Sequence, residues 1–151
     1  MPSNGDAPHP DYMPVSEYEV RTLFAHLGSD NPEPFFDHVA DDVYSTILGT
    51  HPLAGEYTGK RNFRELLFDR LAPYFDGLLK FYVREVLVAG DHAAVELYTI
   101  ATARNGVRFR NGYCWICEFQ NGNITGVRTY LDSALMQELL GDGKAQTPGA
   151  A

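Results

Sequence analysis

The chain has 151 residues, a formal charge of −8 and 44% hydrophobic content, enough for one sizeable core and too little for two. So acidic a chain lacks the basic surface that phosphate binding needs, which excludes nucleic acid as an expected partner. No apolar run approaches the roughly 20 residues of a membrane span, and the opening MPSNGDAPHPDYMP has neither the basic nor the apolar region of a signal peptide, so no membrane is expected and the expected address is cytoplasmic.

Residues 1–14 and 141–151 are rich in small and turn-forming residues and read as tails around a single domain over 15–140. The first helix is expected from Ser16, where S-E-Y-E forms a capping box. It carries Val20, Leu23, Phe24 and Leu27 on one face and ends at Gly28. A short helix follows Asn31-Pro32, with Phe35, Phe36 and Val39 on its apolar side. Val43–Leu48 reads as a short strand, and a third helix covers about Lys60 to Ala72, burying Phe63, Leu66, Leu67 and Leu71 before Pro73.

Beyond this point the apolar period becomes two, and β-runs are expected over about 78–88, 92–104, 107–119 and 123–131. They are separated by A-G-D, N-G and Q-N-G-N, residues that hairpin turns select. A last short helix is expected from Asp132, whose carboxylate suits its N-cap. The class implied is α+β, with helices packed on one side of a long antiparallel sheet that curls around what it covers. Nine Tyr, nine Phe and one Trp favour a sheet-rich interior or a lined cavity.

C-W-I-C, with Cys114 and Cys117, crosses a strand rather than opening a helix. Residues three apart on a strand face opposite ways, so the pair reads as two small hydrophobes and not as a disulfide or a metal clip. The five histidines show no ligand spacing, His26 and His92 read as solvent-facing or packing residues, and no metal is expected.

Taken as a two-residue turn, Asn105-Gly106 sets Arg104 opposite Val107. Ile100 then faces Asn111, Tyr98 faces Tyr113 and Glu96 faces Trp115. The other side carries Val95, Leu97, Ala101 and Ala103 with Gly112, Cys114 and Ile116. Both faces are substantially apolar; one packs on the helices, and a second subunit is the simplest cover for the other. In the last hairpin a three-residue loop, Gln120 to Gly122, puts Thr129 and Leu131 beside Tyr113, whereas a two-residue loop of Asn121-Gly122 puts Arg128 there. The expected inner face, with Glu96, Tyr98, Asn111, Tyr113 and Trp115, has the mixed character of a small-molecule site.

Several stretches together resemble one family: the capped first helix, the D-D-V before a short strand, the loop G-T-H-P-L-A-G-E-Y-T-G-K, and the ending N-G-N-I-T-G-V-R-T-Y-L-D. Over about residues 16–140 the chain is similar to the nuclear-transport-factor-2-like superfamily, in its SnoaL-like and ketosteroid-isomerase-related branch. That resemblance implies a cone-shaped fold with a pocket between sheet and helices, a homodimer, and no metal or organic cofactor. Family catalytic residues do not carry over. The Asp that follows the last-strand Arg in limonene epoxide hydrolase and the SnoaL polyketide cyclases corresponds to Thr129. The hydrolase Arg and second Asp correspond to Glu96 and Tyr98. The ketosteroid isomerase base belongs on the first strand, at Ser45, Thr46 and Ile47, and its neutral Asp donor falls near Trp115.

The function expected is therefore a cofactor-independent acid–base enzyme, an isomerase or cyclase, acting on a small apolar carbonyl compound such as a polyketide- or steroid-like metabolite. Glu96, desolvated among aromatics, is the expected acid or base, with a structural ion pair to Arg84 as the alternative. Tyr98 and Tyr113 are expected donors, and His51, on a loop the resemblance places at the cone mouth, a proton shuttle or orienting group. Asn111 is a further orienting group, and Ser45, Ile47, Ile100, Trp115, Thr129 and Leu131 complete the expected ligand contacts. A non-catalytic ligand-binding or association domain is the second reading, and an epoxide-opening enzyme the third.

Overall fold

The structure, a computed structural model, describes residues 14–141, so the expected tails fall almost wholly outside the described residues. Ser16 is extended (φ −101°, ψ 156°) and its Oγ accepts the Glu19 N–H at 3.1 Å, which starts α1 (Glu17–Ala25) where the capping box predicts. Val20, Leu23 and Phe24 are its buried face. A 3-10 turn (His26–Gly28) leads to α2 (Glu33–Phe36). Val39, expected on that helix, instead begins β1 (Val39–Ile47). The unexpected strand β2 (Gly55–Thr58) folds back on β1, from Tyr44 opposite Thr58 to Ile47 opposite Gly55. The expected third helix is three pieces: α3 (Lys60–Arg64), a π-helical turn (Glu65–Asp69) and a 3-10 turn (Ala72–Tyr74).

The later strands are β3 (Tyr82–Ala89), β4 (His92–Tyr98), β5 (Ala101–Thr102), β6 (Arg108–Phe109), β7 (Gly112–Gln120) and β8 (Asn123–Leu131). Of the eight strands among the described residues, six form one sheet in the order β2-β1-β8-β7-β4-β3, while β5 and β6 form a separate ribbon. Neighbours are antiparallel except β1 and β8, which run parallel. α4 (Ser133–Leu140) is the last element among the described residues, with Asp132 as its N-cap accepting the Leu135 N–H at 3.1 Å. This is the α+β cone: helices over one face of a curved, mainly antiparallel sheet. No helix among the described residues is long and apolar enough to cross a membrane.

The register between β4 and β7 corrects the expected one. Gly106 adopts φ +87°, its N–H donates to the Ala103 carbonyl at 2.9 Å, and the Ala103 N–H donates to the Val107 carbonyl at 2.8 Å. The turn therefore holds three residues, Arg104 to Gly106, with glycine at the left-handed position. Ala103, not Arg104, stands opposite Val107. Leu97 consequently pairs with Tyr113, Val95 with Trp115 and Glu96 with Cys114. A slip of one residue reverses every side chain of a strand. Glu96, Tyr98 and Ile100 are thus turned to the outer face, and Val95 and Leu97 face the helices.

In the last hairpin Asn121 (φ 52°) and Gly122 (φ 77°) make a two-residue turn closed by Gln120 opposite Asn123. A bulge at Thr125 then shifts the pairing, from Phe119 opposite Ile124 to Glu118 opposite Gly126. Turn and bulge together place Leu131 opposite Tyr113 and Thr129 opposite Trp115. These are the neighbours expected of a three-residue loop, reached by another route. Cys114 is paired with Glu96 on the outer face, whereas Cys117 is paired with Ala93 and buried; the strand separates the two thiols as its alternation requires.

The core is built on Trp115, which is fully buried. Phe24, Phe63 and Phe81 hold their rings 5.6, 5.8 and 5.9 Å from it, tilted or edge-on, with Phe35 at 6.4 Å. One side chain from β7 thereby joins α1, α2, α3 and the segment before β3.

Candidate functional site

Between the concave sheet face and the helices lies a cavity of ≈ 40 Å³. β1 contributes Ser45 and Ile47 to it, β7 contributes Tyr113 and Trp115, and β8 contributes Thr129 and Leu131. The loop after β1 adds His51 and Leu53, α3 and the turns after it add Phe63, Leu66, Leu67 and Leu71, and Phe81 and Met136 complete the wall. A water needs on the order of 10–15 Å³ by this kind of measure. The cavity thus admits a few waters, and a larger guest must displace side chains. Its wall has the means: Met136 is unbranched and pliable, and Leu66 and Leu67 ride on the π-helical turn, a backbone irregularity common at functional sites.

His51 is held by its own loop. Its Nδ1 accepts the Leu53 N–H at 3.2 Å and its Nε2 lies 3.2 Å from the Leu48 carbonyl, so Nε2 carries the proton. Burial holds its pKa below the ordinary imidazole value, only partly opposed by the Leu48 carbonyl, and the ring is neutral at physiological pH. The loop is packed tightly around it: Gly49 takes φ +121°, and a Cβ there would stand 2.1 Å from Ser133 Oγ and 3.0 Å from the His51 ring. Tyr57 Oη donates to the Leu53 carbonyl at 2.9 Å, and Ser45 Oγ to the Tyr57 carbonyl at 3.4 Å.

Tyr113 is buried and its phenol is pushed well above the ordinary range by desolvation, a rise that the nearby Thr99 hydroxyl only tempers. It stays a protonated donor. The hydroxyl nevertheless meets no group of the described residues in hydrogen-bonding geometry, and neither does the indole Nε1 of Trp115.

Of the residues expected at the site, Ser45, Ile47, His51, Tyr113, Trp115, Thr129 and Leu131 line this cavity. Glu96, Tyr98, Ile100 and Asn111 do not, and meet in a wider open recess on the outer face with Arg84, Arg110 and Cys114. Glu96 is exposed there, and Ile100 is 60% exposed. Tyr98 stacks near Tyr82 at 5.6 Å and under the Arg84 guanidinium at 5.1 Å. The Arg84 expected as an ion-pair partner for Glu96 is engaged by that ring. Asn111 is buried, with its amide turned to the chain: Oδ1 accepts the Asp132 N–H at 3.0 Å and Nδ2 donates to the Asp132 carbonyl at 3.3 Å. It pins the entry of α4. The corrected register removes Glu96 and Tyr98 from the inner wall, whose described residues then include no carboxylate.

Sequence reasoning named Phe63, Leu66, Leu67 and Leu71 as a helix core face but not as cavity wall, and it passed over Leu53, Phe81 and Met136. The signal for the true inner face was present: Ala93, Val95 and Leu97 form the more apolar set on β4, as Tyr113, Trp115, Cys117 and Phe119 do on β7.

A family model described as SnoaL-like domain matches residues 20–127, more than half of the chain. The chain is 24% identical over 152 residues to the dimerizing cyclase phiC of a fungal species (strain ATCC 74256), an alignment of 95% of this chain and 65% of that protein. The chain thus spans slightly under two thirds of that relative's length. An NTF2-like protein from Burkholderia thailandensis E264 superposes with a TM-score of 0.70 at 21% identity, covering 81% of this chain and 94% of that chain. TerC, co-crystallized with polyporic acid, gives 0.67 at 18% identity over 81% and 95%. Both share the nuclear-transport-factor-2-like fold with this chain.

Proposed function

We propose, for a chain that belongs to the SnoaL-like domain family, a cofactor-independent acid–base enzyme of the isomerase or cyclase type. Its substrate is a small, largely apolar carbonyl compound held in the inner cavity. The observation that carries this reading is the wall itself: apolar except for the Ser45, Thr129 and Tyr113 hydroxyls, the Trp115 indole and the His51 imidazole. The sequence similarity to a dimerizing cyclase supports it. With no carboxylate among the described residues of the wall, the base passes from Glu96 to His51. Nδ1 takes a proton from the carbon beside the carbonyl, exchanging its Leu53 contact for the substrate. The C–H electron pair moves into the new C=C bond and the charge onto oxygen, where buried donors stabilise it. Returning the proton at another carbon of the conjugated enolate isomerises; attack of the carbanion on a second carbonyl closes a ring, and the alkoxide so formed takes the proton back from the His51 imidazolium.

The test is exchange of α-protons for deuterium across a panel of cyclic ketones in D₂O, followed by NMR. Exchange should exceed the buffer rate and fall at least tenfold in His51→Gln. Because only the neutral ring is a base and its pKa is lowered, the rate should rise with pH through a value below about 6.5 and stay level through neutrality. Ketones that stabilise the protein yet exchange at the buffer rate would transfer it to the second reading, a binding domain. The engagement of both His51 nitrogens by backbone is what favours that second reading.

The same proposal includes a homodimer through the outer sheet face, where Tyr44, Tyr82, Ile100 and Tyr130 are exposed. Sedimentation at micromolar concentration should give twice the chain mass; a monomer is the contrary result.

A further inference from the structure

We infer that Trp115 is a polar recognition residue, and that its indole N–H and the Tyr113 hydroxyl together bind the carbonyl oxygen of the ligand. The inference rests on the reading of the cavity as a site for a small apolar carbonyl compound and adds which atoms receive the oxygen. Indole Nε1 can only donate. A buried donor left without an acceptor is costly, and native chains rarely tolerate one without reason. Here, among the described residues, two occur, Trp115 Nε1 and Tyr113 Oη, both buried and both without a hydrogen-bond partner there.

They sit on the same face of β7, two residues apart and thus about 6.6 Å along the strand, and both side chains line the same cavity. Phe81 packs against both rings, at 5.3 Å from Tyr113 and 5.9 Å from Trp115, which leaves the pair an apolar surround. A carbonyl oxygen has two lone pairs and no proton of its own to place, so it satisfies two donors and adds no unmet group. A hydrocarbon of the same shape leaves both donors unpaired. The ligand class selected is therefore a ketone, enone or ester on an apolar frame.

The chain contains a single tryptophan, so the ¹⁵N-labelled protein shows one indole N–H signal, which reports on this atom without any substitution. The probes are 1-indanone and indane, which share a bicyclic frame and differ at the carbonyl. Addition of 1-indanone should move the indole proton downfield, and indane should not. By calorimetry, Trp115→Phe, which keeps a ring in the core, should weaken 1-indanone by roughly five- to tenfold, the net worth of one hydrogen bond, and leave indane unchanged. Tyr113→Phe should do the same.

The inference is overturned if the two probes bind equally well, if neither binds, or if 1-indanone binds while the indole proton signal stays in place. Its failure is separable from that of the proposed catalysis. A ketone that shifts the indole signal without exchanging its α-protons retains the recognition pair and removes the acid–base role.

Discussion

Trp115→Ala lowers stability by about 3–5 kcal/mol, the range for truncating a large buried aromatic. The ring is fully buried and meets Phe24, Phe35, Phe63 and Phe81, so the void opens at the junction of every helix before the sheet and cannot collapse from one side. Domains of this size have about 5–15 kcal/mol in total. Denaturant unfolding should show the midpoint displaced by a large fraction of its wild-type value, or no folded protein at all. A loss below 1 kcal/mol would mean that the aromatic cluster is loosely packed.

Asn111→Ala costs roughly 1–3 kcal/mol, the penalty for leaving a buried polar group unmet. Both arms of the amide serve the Asp132 backbone, so Ala leaves that N–H and that carbonyl without partners at the entry of α4. The effect is local. α4 carries Met136 into the cavity wall and receives a second tie at its far end, from Asn105 Nδ2 to the Leu139 carbonyl at 3.3 Å. Hydrogen exchange should therefore speed up in α4 well before it does in β7, and ligand affinity should fall with it. Uniform acceleration through the sheet would show that Asn111 acts on the whole fold instead.

The first and last helices and the fold class were legible because their signals are local. Ser16 caps α1 through its own side chain, Asp132 caps α4, and the glycine-bearing turns lie where the hairpins form. The inner face was not, because it depends on a count of turn residues. Asn105-Gly106 reads equally as a two-residue turn or as the end of a three-residue one, and that single residue decided whether Glu96 or Val95 looks inward. The last hairpin shows the converse: its two-residue turn and the bulge at Thr125 compensate, so Thr129 and Leu131 arrive at Tyr113 by a path no turn rule describes. Apolar balance between faces is the better guide where turn length is ambiguous, since Val95 and Leu97 lose most by exposure. Asn111 was legible as a buried amide but not as a clamp, because its partner is a backbone twenty-one residues away.

The position of the ligand decides between the two faces most directly, and a crystal soaked with 1-indanone measures it. The bicyclic frame should lie inside the cone against Leu66, Leu67 and Met136, with its oxygen within hydrogen-bonding distance of Trp115 Nε1 or Tyr113 Oη. Density for the ketone in the outer recess beside Arg84, Glu96 and Tyr98, with the interior closed and unchanged, would contradict it.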